Sequence, residues 1–168
     1  MLIRPTRLND VPSLAAIERS AAGAFAQLPG MAWLAEGEVL DPTKHRSFIA
    51  AGSSWVAESA DGHLLGFICA SIEEPVMHVQ ELSVRREVQG QGIGRQLLDQ
   101  AASEARRLKM HELTLTTFSN VPWNAPFYSR YGFEVIAQCA LSPRLRDLLA
   151  TENDHGLQDR CAMRLLLA

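Results

Sequence analysis

A chain of 168 residues can bury its own core, and 47% hydrophobic with 21% charged residues is an ordinary balance for a soluble globular protein. A formal net charge of −3 argues against nucleic acid or an anionic membrane as the main partner. The opening MLIRPTRLND has no apolar signal region, no apolar run reaches membrane-spanning length, and Cys69, Cys139 and Cys161 match no metal or redox spacing. No repeat, low-complexity tract or linker interrupts the chain. These features predict a single cytoplasmic domain over residues 1–168, with reduced and mostly buried cysteines.

In chain order, Leu2–Arg4 is a short strand closed by Pro5. Asn9 or Asp10 caps a helix across Val11–Phe25, whose Val11, Leu14, Ile17, Ala21 and Phe25 recur at helical spacing. Gly30 and Gly37 break the next stretch into loop with at most one short helix. Asp41-Pro42 starts a helix through about Ala50. Ser54–Ser59 and Leu64–Ile72 form a hairpin around Asp61-Gly62. Glu73-Glu74-Pro75 then turns the chain into a strand over Val76–Val84. The pattern returns to helix over Ile93–Lys109, with Leu97, Leu98, Ala101, Ala105 and Leu108 on one face. Glu112–Phe118 alternates threonine and leucine as a strand. Asn124–Tyr131 is a short helix ended by Gly132. Phe133–Cys139 is a strand, Pro143–Ala150 a helix and Cys161–Leu167 a closing strand. The sum is an α/β (α+β) fold: a mixed, mostly antiparallel central sheet of about six or seven strands flanked by helices.

The stretch Gln89-Gly90-Gln91-Gly92-Ile93-Gly94-Arg95 carries most of the chemistry. It leaves a strand and runs straight into a helix, with glycines at alternate positions. Glycine lets the backbone approach a ligand, and the first N–H groups of a helix lie unpaired at its positive end. Such a junction suits phosphate, although a glycine turn used only for tight packing remains the alternative. Two nucleotide motifs fail. Arg95 follows Gly94, so the third glycine of G-x-G-x-x-G is absent in that register, and Gly94-Arg95-Gln96 is not the Gly-Lys-Ser/Thr of a P-loop.

Gln89-x-x-Gly92-x-Gly94 followed by Leu97-Leu98 resembles the Q/R-x-x-G-x-G/A signature of the GNAT family of N-acetyltransferases. Leu82-Ser83-Val84 matches that family's strand before the loop. Ala125-Pro126-Phe127-Tyr128-Ser129-Arg130-Tyr131-Gly132-Phe133 is similar to its second signature, an aromatic-Tyr-x-x-x-Gly-Phe unit. The resemblance covers nearly the whole chain and implies acetyl-CoA as co-substrate, with direct transfer to an amine. It implies pyrophosphate contacts from Gln89, Gly90, Gln91, Gly92, Ile93 and Gly94, with Arg95 adding charge nearby or standing in solvent. It assigns the pantetheine arm to the strand at Leu82, Ser83 and Val84, through the backbone of Leu82 and Val84, and places Asn124 and Phe127 beside the cofactor. Tyr128 falls at the usual proton-donor position, where a phenol of pKa ~10 can protonate a thiolate. The family often has asparagine seven residues before the tyrosine and alanine four before; here Val121 and Asn124 stand there, and Asn120 is one place off. Asn124 therefore contacts the arm or caps the helix, and Trp123 packs in the core or lines the channel.

An alkylamine of pKa ~10.4 is mostly protonated at neutral pH, so a base or water chain must help. Glu81 stands where some family members carry their base, with His78 a weaker alternative and a structural role for Glu81 also open. The five histidines are scattered, so no metal is expected. Residues 20–43 hold Glu36, Glu38 and Asp41, no lysine or arginine, and Phe25, Met31 and Trp33. They suit a small cationic amine, or are a solvated loop over core aromatics. The alternatives are a protein N-terminus or lysine as acceptor, a silent acyl-CoA-binding regulatory domain, and an interaction domain with a structural glycine loop. A homodimer stays open.

Overall fold

The computed structural model describes residues 1–168. Its elements follow as β1 (Leu2–Pro5), α1 (Val11–Ala22), α2 (Pro42–Ala50), β2 (Ser54–Glu58), β3 (Leu64–Glu73) and β4 (Val76–Val84). Then come α3 (Ile93–Arg107), β5 (Glu112–Phe118), α4 (Ala125–Tyr131), β6 (Glu134–Val135), α5 (Pro143–Asp154) and β7 (Arg160–Leu166). The strands form one seven-stranded mixed sheet in the order β1-β2-β3-β4-β5-β7-β6. Pairing is antiparallel except between β4 and β5, which run parallel from Val76↔Glu112 to His78↔Thr114. The expected α/β sheet with early hairpins is the observed one. No helix is long and apolar enough to cross a membrane.

The chain divides into two compact units, Met1–Ile72 with Val79–Glu104, and Glu73–His78 with Ala105–Ala168. The first packs Leu14 and Ile17 of α1 and Phe48 of α2 on Val56, Phe67 and Cys69 of the sheet. Leu14, Ile17 and Phe67 are fully buried, each contributing about 1.5–3 kcal/mol by leaving water. Its hairpin turns at Asp61-Gly62 as expected, with Gly62 at φ 86° and Ser59 N–H donating to His63 O at 2.8 Å. The second unit packs Ile136, Leu141 and Leu145 on Ala162 of β7.

Several expectations are corrected. The first helix stops at Ala22 and continues as a 3-10 turn over Gly23–Gln27. Asp10 occupies its N-cap without capping it, because the carboxylate accepts from Arg7 N–H at 2.7 Å and from Arg4 Nη1 at 2.8 Å. The strand expected over Phe133–Cys139 shrinks to Glu134–Val135. Ile136 and Leu141 turn into the second core, which leaves Gln138–Ala140 as a 3-10 turn. α5 runs on to Asp154 because Glu152 is anchored by the Thr116 hydroxyl at 2.7 Å and Arg160 Nε at 3.0 Å. Of the cysteines only Cys69 is buried; Cys139 is exposed and Cys161 intermediate. Trp123 is 37% exposed rather than packed in the core.

Candidate functional site

Within the first unit, the end of β4 is shaped by its antiparallel neighbour β3. Arg85 N–H donates to Leu65 O at 2.8 Å, so by strand alternation the main-chain groups of Leu82 and Val84 point away from β3. Gly66 makes this approach possible. A Cβ there would lie 2.8 Å from Ser83 O and 3.2 Å from a Val84 methyl. The Val84 carbonyl is not idle, since Gln89 Nε2 donates to it at 2.9 Å. Gln89 thus ties the loop back to the strand, a use of its side chain that the signature did not reveal.

Ser83 is 3% exposed, and its hydroxyl donates to Glu81 Oε1 at 2.9 Å. The serine side chain therefore holds the candidate base, a contact beyond the cofactor role expected for this residue. Cys69 lies near this carboxylate. Burial first, then the negative charges of Glu81 and Glu18, push its thiol well up, so it stays protonated and is no nucleophile.

The loop begins with a 3-10 turn, Arg86–Val88, pinned to the end of α1. Ser20 Oγ accepts from Arg86 N–H at 3.0 Å and donates to Glu87 at 3.3 Å, and Arg86 Nη1 donates to Gly23 O at 3.3 Å. Gly90 and Gly92 then take φ of 78° and 82°, which L side chains adopt poorly, with open space where a Cβ would stand. Gln96 N–H donates to Gly92 O at 3.1 Å, the first helical bond of α3. Gln91 and Arg95 are exposed and Ile93 is buried, so the helix begins with one apolar anchor between exposed neighbours. That suits a phosphate-bearing group: the first turn of a helix favours an anion, and no atom outside the adjoining residues stands within 4 Å of where a Cβ of Gly90 or Gly92 would lie.

The acceptor expectations change in detail. Glu36, Glu38 and Asp41 are exposed, and Asp41 caps α2 by accepting from Thr43 N–H at 2.6 Å. Trp33 is 52% exposed. The acid that sequence reading missed is Glu18 on α1. Burial raises its pKa, while Leu40 N–H, at 3.0 and 3.2 Å from its two oxygens, pulls the other way. Its one signal was a carboxylate beside Ile17 on the apolar face.

In the second unit, Asn124 does not cap α4 with its side chain. Its Oδ1 accepts from Phe118 N–H at 3.4 Å, joining the helix start to the end of β5. Tyr128 is half-buried, edge-on to Phe127 at 5.1 Å and to Phe133 at 5.6 Å between ring centroids. The Tyr-x-x-x-Gly-Phe spacing has a local cause. Gly132, at φ 131°, ends the helix, and Phe133 N–H donates back to Tyr128 O at 3.0 Å, so both rings meet. His78 is 2% exposed with Nδ1 2.8 Å from Thr114 Oγ1; burial, and then the Arg144 charge, push its pKa down to about 3. It is a structural imidazole and a poor base. No group of three His, Cys, Asp or Glu side chains is placed to hold a metal.

The fold is that of coenzyme A-bound acetyltransferase structures. PaiA N-acetyltransferase from Thermoplasma acidophilum, solved with coenzyme A, superposes with TM-score 0.72 at 18% identity, covering 98% of each chain. N-acetylglutamate synthase from Neisseria gonorrhoeae, complexed with coenzyme A and N-acetyl-glutamate, gives 0.74 at 17% identity over 99% of this chain and 35% of its own. Residues 50–135 match the acetyltransferase (GNAT) domain, and the chain belongs to the GNAT family. It is also 36% identical over 128 residues to streptothricin acetyltransferase from Streptomyces lavendulae. That match covers 73% of this chain but only 59% of the relative, about three fifths of its length.

Proposed function

We propose that residues 1–168 act as one N-acetyltransferase domain, moving an acetyl group from acetyl-CoA directly to the primary amine of a small cationic molecule. The observation that carries this reading is the junction of β4, the Gly90–Gly94 loop and α3, where Gly90 and Gly92 take positive φ with free space beside them, in a GNAT chain. Acetyl-CoA supplies an activated acyl group and a thiolate leaving group. The N–H groups of Gln89–Gly94 are to hold its pyrophosphate, each charge-assisted bond contributing about 1.5–3 kcal/mol in favourable settings. Leu82 and the N–H of Val84 offer main-chain partners to the pantetheine arm, and Asn124 and Phe127 stand beside Tyr128 for the same ligand.

Glu81, steadied by Ser83, accepts the proton of the incoming amine directly or through water. Tyr128 holds a proton at its phenol oxygen for the departing sulfur. The partly buried acid Glu18 and the name of the streptothricin relative both favour a small cationic acceptor over a protein N-terminus or lysine.

The test is an acetyl-CoA assay over small amines, streptothricin included, beside neutral and anionic acceptors. Release of free thiol only with cationic amines is the expected result. Turnover confined to anionic acceptors removes the cationic reading, and no turnover with any amine leaves a silent acyl-CoA-binding domain. Tyr128→Phe should lower kcat about 10²-fold or more with the KM for acetyl-CoA unchanged. Unchanged kcat would end the proton-donor assignment.

A further inference from the structure

We propose that the second unit carries a ligand site of its own: a cleft that takes a small zwitterion with an apolar body, the size of a single amino acid. Its volume is about 240 Å³. That lies below the roughly 300–1,000 Å³ of pockets for drug-sized ligands, which limits the occupant to a small molecule.

The charged lining alternates in sign. Glu73 pairs with Arg144, and Glu112 acts on Arg164, which also bonds Glu134 at 2.9 Å. A simple cation or anion entering this lining meets one partner and one opponent. A molecule with both signs is matched at both ends. The Glu73 and Arg144 side chains are 39% and 38% exposed, and so exposed a pair is weak and readily exchanged for a ligand carboxylate. Arg144 also lies in the first turn of α5, the helix end that favours negative charge. The carboxylate is therefore assigned to Arg144 and the ammonium to Glu112.

Val76, Ile136 and Leu145 supply apolar wall for the body of the ligand. Two hydroxyls line the wall: that of Ser142 accepts from Leu145 N–H, and that of Thr114, 2% exposed, is bonded to His78 Nδ1 at 2.8 Å. A hydroxyl has one donor and two acceptor sites, so this contact leaves Thr114 with capacity for a ligand. None of these groups belongs to the Gln89–Gly94 loop or to the Tyr128 cluster.

The experiment uses the full chain without coenzyme A. Binding of L-leucine is measured by calorimetry and thermal shift beside 4-methylpentanoate, which lacks the ammonium, and isopentylamine, which lacks the carboxylate. The expected result is saturable leucine binding, at least tenfold tighter than either single-charge analogue. Arg144→Gln and Glu112→Gln should each weaken leucine at least tenfold while the shift produced by coenzyme A is unchanged, which shows that the variants fold. Equal response to all three compounds, no response to leucine, or leucine binding unaffected by both variants overturns the proposal. Leucine binding to a protein that ignores coenzyme A would support it and count instead against the acetyltransferase reading.

Discussion

His78 loses its basicity to its surroundings. Its imidazole is pushed down to about 3 by burial and the Arg144 charge, whereas the unfolded chain titrates it near 6.5. Above pH ~6.5 both states are neutral and the contribution to stability is fully present. As pH falls from ~6.5 towards ~3, the unfolded chain takes up a proton that the folded one refuses, and a few kcal/mol are lost. Burial raises the pKa of Asp10, yet the Arg4 guanidinium and Arg7 N–H bring it below its ordinary value, so it too weakens the fold in acid. That background is common to the wild type and a His78 variant. His78→Gln, which keeps a hydrogen-bonding group for Thr114, should therefore show a shallower loss of stability between about pH 6.5 and about pH 4, read by urea unfolding across that range. Parallel stability curves for the two proteins would mean that His78 takes up its proton without unfolding.

Among elements, the β3–β4 pair controls the most. Gly66 lets Ser83 and Val84 sit close, and that spacing fixes where the outward-facing groups of Leu82 lie. Gly66→Ala places a methyl 2.8 Å from a backbone oxygen that cannot rotate away, so the strands must part. The expected loss of stability is about 1–3 kcal/mol, as for other overpacked interiors, with weaker coenzyme A binding beyond what the lower melting temperature explains. Calorimetry well below the melting temperature separates the two effects, and full affinity in a destabilised variant would detach this spacing from the ligand. The sequence shows Gly66 as one glycine among eleven, because crowding between strands depends on register. The helix ends were legible where a local residue decides them, as at Asp41-Pro42 and Gly132. Element ends are not legible where a distant partner decides them: Glu152 prolongs α5 through Thr116 and Arg160, and the core cuts the strand β6 to two residues.

For the whole molecule, the family was readable because its two signatures are backbone devices. Gly92 of the first is needed for its φ, and Gly132 of the second for turning Phe133 back onto Tyr128, so each leaves a mark in sequence. The side-chain supports leave none. Ser83 under Glu81, Ser20 under Arg86 and the partial burial of Glu18 arise from residue types that are common on any surface. The glycine loop belongs to the first unit and Tyr128 to the second, so the proposal of one acetyltransferase domain makes a demand on both. At ~100 times its dissociation constant, a ligand adds about 2.7 kcal/mol to the state it binds, and amides whose exchange requires its release slow accordingly. Hydrogen exchange with coenzyme A should show slowing in Gln89–Gly94 and, in the same titration with the same midpoint, in Asn124–Phe133. Slowing confined to the loop would reduce the ligand's site to the first unit and leave Tyr128 without a place in the reaction.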